Sequence, residues 1–129
     1  MNIYIDSDAF VRWEKGEFDL LAYLEDRPND IPLFPPAVWQ QLFYGAFAWE
    51  PARARKRESG LNSIGIKVSA FGRRHATRAA QVAADLKREA IGFADCQIAA
   101  SVLEDGEAEL LTFNREHFGR VPGLRLATV

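Results

Sequence analysis

Cysteine is nearly absent from this chain: Cys96 is the only one in 129 residues. A lone cysteine closes no internal disulfide, and in its apolar surroundings it reads as a small hydrophobe, which points to a reducing compartment. No apolar run approaches the roughly 18 residues of a membrane span, and the opening MNIYIDSDAF reaches acids before a signal-like apolar segment forms. Secretion and membrane spanning are therefore not expected, and a cytoplasmic location is. Gly and Pro together number 15, with no long polar or repeated tract, so no disordered tail is predicted. No Gly-rich loop follows the first apolar run, which argues against a dinucleotide-binding fold. Nor is there a Ser-His-Asp arrangement that would make Ser7 a nucleophile.

What the sequence does contain is enough apolar material, 48% of residues, to bury a core without staples, and its length predicts one domain over residues 1–129. Charge is unevenly spread. Residues 1–50 carry 3 basic and 9 acidic side chains, residues 51–90 carry 10 and 3, and residues 91–129 carry 3 and 6. A cationic middle between anionic ends suits a protein that binds a polyanion and keeps an acidic, cation-binding site elsewhere. The same distribution also reads as ordinary solvated helix faces.

Asn2 to Ile5 is a short strand candidate that stops at Asp6-Ser7-Asp8. Ala9 to Glu14 predicts a short helix, and Phe18 to Leu24 a second one ending near Pro28. Ile31 to Phe34 predicts a strand, followed by a helix from Pro36 that carries Val38, Gln41, Leu42, Phe43, Phe47 and Trp49. Pro51 to Glu58 predicts a basic helix stopped near Gly60, and Gly65 to Phe71 a strand. Arg73 to Glu89 predicts a long alanine-rich helix packed against a neighbour, with Arg88 among its polar positions. Asp95 is expected as the N-cap of a small-residue helix, Glu109 to Phe113 as a strand, Asn114 to His117 as a polar turn, and Gly123 to Val129 as an edge strand. Strands alternating with helices predict an α/β fold with a mainly parallel sheet of four or five strands covered on both faces. In such a sheet ligand groups gather beyond the strand C-termini, where Asp6 and the turn after Phe113 should lie.

Asp6, Asp95, Asn114 and Glu116, with Asp8 nearby, form the constellation with chemical content. Carboxylates gathered at one end of a sheet repel one another unless a divalent cation neutralises them, and Mg²⁺ or Mn²⁺ prefers such oxygen ligands. The competing reading makes Asp95 a helix cap and Asp6 a strand-end acid, with no metal.

The stretch Ile3 to Phe10 resembles the opening of PIN-domain proteins, in which a hydrophobic strand ends in an aspartate and a small hydroxyl residue. Pro36 to Ala46 is similar to the family's second segment, Asp95 to Ala100 to its third, and Leu111 to Leu124 to its closing segment. The resemblance covers roughly residues 2–126 in order. It implies a three-layer α/β sandwich and, at this length, a VapC-like toxin: a Mg²⁺-dependent endoribonuclease, with Mn²⁺ as an alternative ion. Such a toxin is paired with a small antitoxin encoded alongside, whose C-terminal part covers the acidic groove, and it often forms a homodimer. Carried over by residue, Asp6 and Asp95 are the first and third acids and the expected metal ligands, with Asp8 in support. Asn114 is the polar residue that helps to hold the site. Gln41 stands where the family has a glutamate, and His117 where it has its last acid, with Glu116 next door as a substitute. The implied site is weak. Its copy is an active enzyme of lower metal affinity, a PIN-fold protein that binds antitoxin or RNA without cutting, or a version inactivated by substitution.

Asp6-Ser7-Asp8 also resembles the paired aspartates of haloacid-dehalogenase-type phosphatases, but Phe10 stands where Thr or Val is usual. No lysine segment with paired distal acids follows either. For RNA phosphates the candidates are Arg53, Arg55, Lys56, Arg57, Arg73, Arg74 and Arg78, and Trp13, Trp39 and Trp49 are available to stack on bases. Trp39 and Phe43, four apart, are equally a candidate homodimer contact. His117 is open to a ligand or base role or to a turn-stabilising one, and His75 is expected to be solvated.

Overall fold

The computed structural model describes residues 1–87 and 91–129. In chain order the elements are β1 (Asn2–Ile5), α1 (Ser7–Glu14), α2 (Leu20–Glu25), β2 (Ile31–Phe34), α3 (Pro36–Trp49), α4 (Pro51–Ile64), β3 (Lys67–Val68), α5 (Arg73–Asp85), α6 (Phe93–Asp105), β4 (Ala108–Leu111) and α7 (Arg115–Phe118). The four strands form one wholly parallel sheet in the order β3-β2-β1-β4. From β1 the chain steps outward to β2 and β3, then returns through α5 and α6 to place β4 on the other side of β1. The order therefore reverses between β1 and β4, which is where open parallel sheets bind ligands.

Covered on both faces, β1 buries Ile3, Tyr4 and Ile5 in succession, as an inner parallel strand must. Its partners are in register from Asn2 with Ala108 to Ile5 with Leu111. Phe10, Leu20, Phe34, Val38, Leu42, Leu61, Ile98, Val102 and Phe118 close the main core around the sheet. A second apolar cluster, Ala79, Val82, Leu86, Cys96, Ala99, Ala100 and Val121, joins α5 to α6. The alanines thus allow the close helix pairing expected of them, although Ala76 and Ala80 face solvent. Among the described residues no helix is long and apolar enough to cross a membrane.

Several boundaries differ from expectation. Helix α4 runs through Gly60, where a side chain would meet only open space, and ends at Gly65, whose φ of +70° closes it in the left-handed region. Ala54, Arg57 and Leu61 form its buried stripe, and this tertiary packing outweighs the roughly 1 kcal/mol helix cost of one glycine. With α4 extended, strand β3 shrinks to Lys67–Val68. Helix α5 gives way at Leu86, and Arg88 and Glu89 lie outside the described residues. Asn114 to His117 is no open turn: Asn114 is the N-cap residue of the one-turn helix α7. The closing segment makes a single parallel bridge, Leu126 to Leu110, flanked by Leu110 N–H to Arg125 O (2.9 Å) and Ala127 N–H to Leu110 O (2.8 Å). Asp95 is not an N-cap either. Gly92 takes that position, so Asp95 falls in the first turn of α6, where the helix dipole favours a carboxylate.

Candidate active site

The end of β1 delivers Asp6 to the point where β1 and β4 diverge. Its backbone N–H donates to Leu111 O at 3.0 Å, extending the ladder by one residue. Its carboxylate then caps α1 by accepting from Ser7 N–H (2.8 Å), and accepts from the Thr112 hydroxyl (2.8 Å). Asp6 is buried, and burial, followed by the repulsion of Asp8, pushes its pKa up to about 7 against those two hydrogen bonds. Asp95 adds a further repulsion.

Asp8, one residue into α1, reaches the segment that follows β4 and accepts from Phe113 N–H at 3.1 Å. Thr112, fully buried, joins both acids and accepts from Asn114 N–H at 3.0 Å, which fixes the entry to α7. Asn114 contributes that amide, and its side chain makes no capping bond. Thr112 is the residue that sequence reasoning missed. Its one signal was a hydroxyl ending an apolar run two residues before Asn114.

Asp95 approaches from α6, held above the ordinary carboxylate pKa by burial, with His117 opposing and Asp8 reinforcing the rise. His117 Nε2 is buried and lies 2.9 Å from Asp95 Oδ2, an ion pair when the imidazole is protonated. Glu116 does not enter the cluster. Neighbours on a helix point about 100° apart, and Glu116 turns outward, 90% exposed and paired with Arg120 at 3.4 Å.

Gln41, on α3, lies where two grooves meet. One is lined by Ser7, Val11, Gln41, Trp49 and Arg53, the other by Gln41, Tyr44, Phe93, Ala94 and Gln97. It therefore stands between the residue after Asp6 and the residue before Asp95. Its Oε1 is buried with no hydrogen-bond partner, an acceptor that a cation or bound water would satisfy. Among the described residues no three His, Cys, Asp or Glu side chains converge into a ready-made cage. The donor chemistry nonetheless suits a divalent cation, with Asp6 and Asp95 as charged oxygens and Gln41 as a neutral one.

The basic candidates divide. Arg57 is a correction: it is buried, donates to both Glu14 carboxylate oxygens (2.6 and 3.0 Å) and to Leu42 O, and so ties α4 to α1 and α3. It occupies the buried stripe of α4 and is unavailable to a phosphate. Arg53 pairs with Glu50 at 3.0 Å on the surface, and Arg55 and Lys56 are exposed beside it. Arg73, Arg74 and Arg78 line a separate groove on α5, where Arg78 (3.0 Å) and Arg74 (4.0 Å) share Glu104. The other ring expectations change similarly. Trp39 and Phe43 stack at 4.6 Å, Phe43 within the main core and Trp39 partly buried against it. Trp13 packs edge-on to Phe10, whereas Trp49 is 86% exposed. His75 accepts from Gly72 N–H at 2.9 Å and stacks on Phe71, capping α5.

The PIN domain family matches residues 3–124. Comparison with curated protein sequences finds no match. Among solved structures, VapBC2 from Rickettsia felis bound to a promoter DNA fragment is similar at 22% identity and a TM-score of 0.83, with 98% of each chain covered. VapBC-1 from nontypeable Haemophilus influenzae is similar at 23% identity and 0.83, and DNA-bound VapBC from Salmonella typhimurium at 22% and 0.83, each over 98% of this chain and 97% of the other. At such identities these likenesses speak for the fold. The match across almost the whole chain, together with acids gathered at the β1/β4 switch point, shows that this chain belongs to the PIN domain family.

Proposed function

We propose that this protein is a VapC-like toxin that hydrolyses RNA phosphodiester bonds at the Asp6–Asp95 cluster with a divalent cation, and that a small antitoxin restrains it. The observation that carries this reading is the state of Asp6: a buried carboxylate, crowded by Asp8 and Asp95 and raised to about 7, at the sheet's switch point. A strongly perturbed acid in that position is a functional-site signature, and a cation relieves its repulsion. When bound, such an ion supplies Lewis-acid stabilisation of phosphate charge and a water of lowered pKa. The chain's own residues do the rest. Asp6 and Asp95 supply the carboxylates of the cluster, Thr112 fixes Asp6 by hydrogen bond, and Gln41 offers its amide oxygen from α3.

Arg53 lines the groove that runs from Ser7 to Trp49, and Arg55 and Lys56 are exposed on the same helix, which supports phosphate contact there. Tyr44, Phe47, Trp49 and Phe93 are exposed on α3 and α6, an apolar surface on which an antitoxin or a second copy of the chain would bury area. The likeness to VapBC assemblies supports the antitoxin.

A second reading is favoured by Gln41 itself. With an amide where the family has a carboxylate, and no ready-made three-residue cage among the described residues, the fold serves as a binding module without cutting. Incubating a mixed structured-RNA pool with purified, partner-free protein in Mg²⁺, Mn²⁺ or chelator separates the two. Metal-dependent cutting by the parent, increased in Gln41→Glu, is the expected result. Cutting by Gln41→Glu alone supports the binding module, and silence from both sinks the nuclease.

A further inference from the structure

We propose that the groove between α1 and α4 is a nucleotide-binding subsite on the RNA path, in which Trp13 stacks on one unpaired base while Lys15 and Lys56 hold its flanking phosphates. This deepens the nuclease reading above and rests on it for the identity of the polyanion. The groove has a volume of about 460 Å³, within the range of sites that hold small molecules. It adjoins the groove that contains Ser7 and Gln41, because Arg53 and Arg57 line both. From Ser7, which follows Asp6, to Glu14 the helix α1 rises about 10 Å, a span of about three stacked nucleotides at about 3.4 Å each. A strand passing Asp6 therefore reaches Trp13 within a few nucleotides.

The lining suits both parts of a nucleotide. Trp13 is half-buried and packs edge-on to Phe10 at 5.7 Å, and no other ring among the described residues stacks on it. Lys15 and Lys56 are exposed, and among the described residues their side chains form no ion pair or hydrogen bond. Their charge is thus uncommitted and can meet phosphates. Arg57 holds the Glu14 carboxylate through both oxygens, at 2.6 and 3.0 Å, yet Glu14 keeps part of its side chain exposed on the groove. That leaves the wall one acceptor for a base N–H.

Gly60 adds an argument from shape. Arg53, Lys56, Arg57 and Gly60 recur at the steps of three and four residues that place side chains on one helix face, and all four line the groove. The φ of Gly60 is not positive, and a Cβ there would meet nothing within 4 Å. Neither backbone conformation nor close packing calls for a glycine in mid-helix, where it weakens the helix. The space it leaves belongs to the groove.

Binding of labelled decaadenylate RNA to the full chain is measured by fluorescence anisotropy in chelator, with the parent compared to Gly60→Leu, Trp13→Leu and the double variant Lys15→Gln with Lys56→Gln. Gly60→Leu should keep the fold and raise the thermal midpoint by about 3–5 °C, yet bind about fivefold or more weakly. Trp13→Leu, which retains an apolar contact for Phe10, should lose about as much with its salt dependence unchanged. The lysine double variant should instead lower the slope of log affinity against log salt by about 1.4. Parent-like affinity in Gly60→Leu, no binding by the parent, or displacement by poly-glutamate of equal charge as effective as that by unlabelled RNA overturns the subsite. Cleavage by the parent in Mn²⁺ judges the nuclease reading separately. A parent that cuts while Gly60→Leu binds as tightly keeps the nuclease and removes the subsite, and a parent that does not cut while Gly60→Leu and Trp13→Leu bind more weakly keeps the subsite and removes the nuclease.

Discussion

Asp6 ties the stability of this fold to pH in a direction opposite to that of a salt-bridged carboxylate. Burial and the charge of Asp8 raise its pKa from 3.8 to about 7 in the folded chain, whereas an unfolded chain titrates an aspartate near 3.9. Below about pH 4 the carboxyl is protonated in both states and imposes no penalty. Between about pH 4 and 7 the folded state holds the additional proton, so stability falls as pH rises, and above 7 the whole penalty stands. Roughly three pKa units at about 1.4 kcal/mol each bounds the effect near 4 kcal/mol, and relaxation around a coupled cluster reduces it to about 2–3 kcal/mol. Asp95, also raised, acts in the same sense. Urea unfolding at pH 5, 6, 7 and 8 in chelator, for the parent and Asp6→Asn, measures it. The parent should lose about 2–3 kcal/mol relative to the variant across that range, and Mn²⁺ at pH 8 should restore the parent and not the variant. A difference between the two that does not change with pH would refute the reasoning.

Two further perturbations test the scaffold around the site. Arg57→Met should destabilise by about 2–3 kcal/mol in thermal or urea unfolding, because it strands Leu42 O and one face of Glu14 while keeping most of the side-chain volume. Thr112→Val should cost about 1–3 kcal/mol by leaving Asp6 Oδ2 and Asn114 N–H without their partner. It should also raise the Asp6 pKa further, which NMR titration of that carboxyl would read.

Much of this architecture is legible in the residues. Ile3-Tyr4-Ile5 running unbroken into Asp6 marks an inner parallel strand that ends in an acid, and Pro36 at the first position of α3 fixes where Gln41 lies. The parallel sheet follows from strands that alternate with helices. What escapes is whatever depends on tertiary partners. A count of basic residues cannot distinguish Arg57 from Arg55, yet Arg57 sits three residues after Ala54 and four before Leu61, on the one stripe of α4 that is buried. Reading that spacing would have found it. Glu116 and His117 differ by one step around a single helical turn, and only the presence of α7 decides which of them meets Asp95. Gly60 reads as a stop because local propensity is weighed without Leu61 and the core beneath it.

The central claim, that the Asp6–Asp95 cluster cuts RNA, is tested most directly by the single-turnover rate at which partner-free protein cleaves a structured RNA with saturating Mn²⁺, measured beside Asp95→Asn. The account predicts cleavage by the parent and a fall to background in Asp95→Asn, with binding of the RNA retained. Equal rates in the two proteins would contradict it, because the cutting would then arise somewhere other than this cluster.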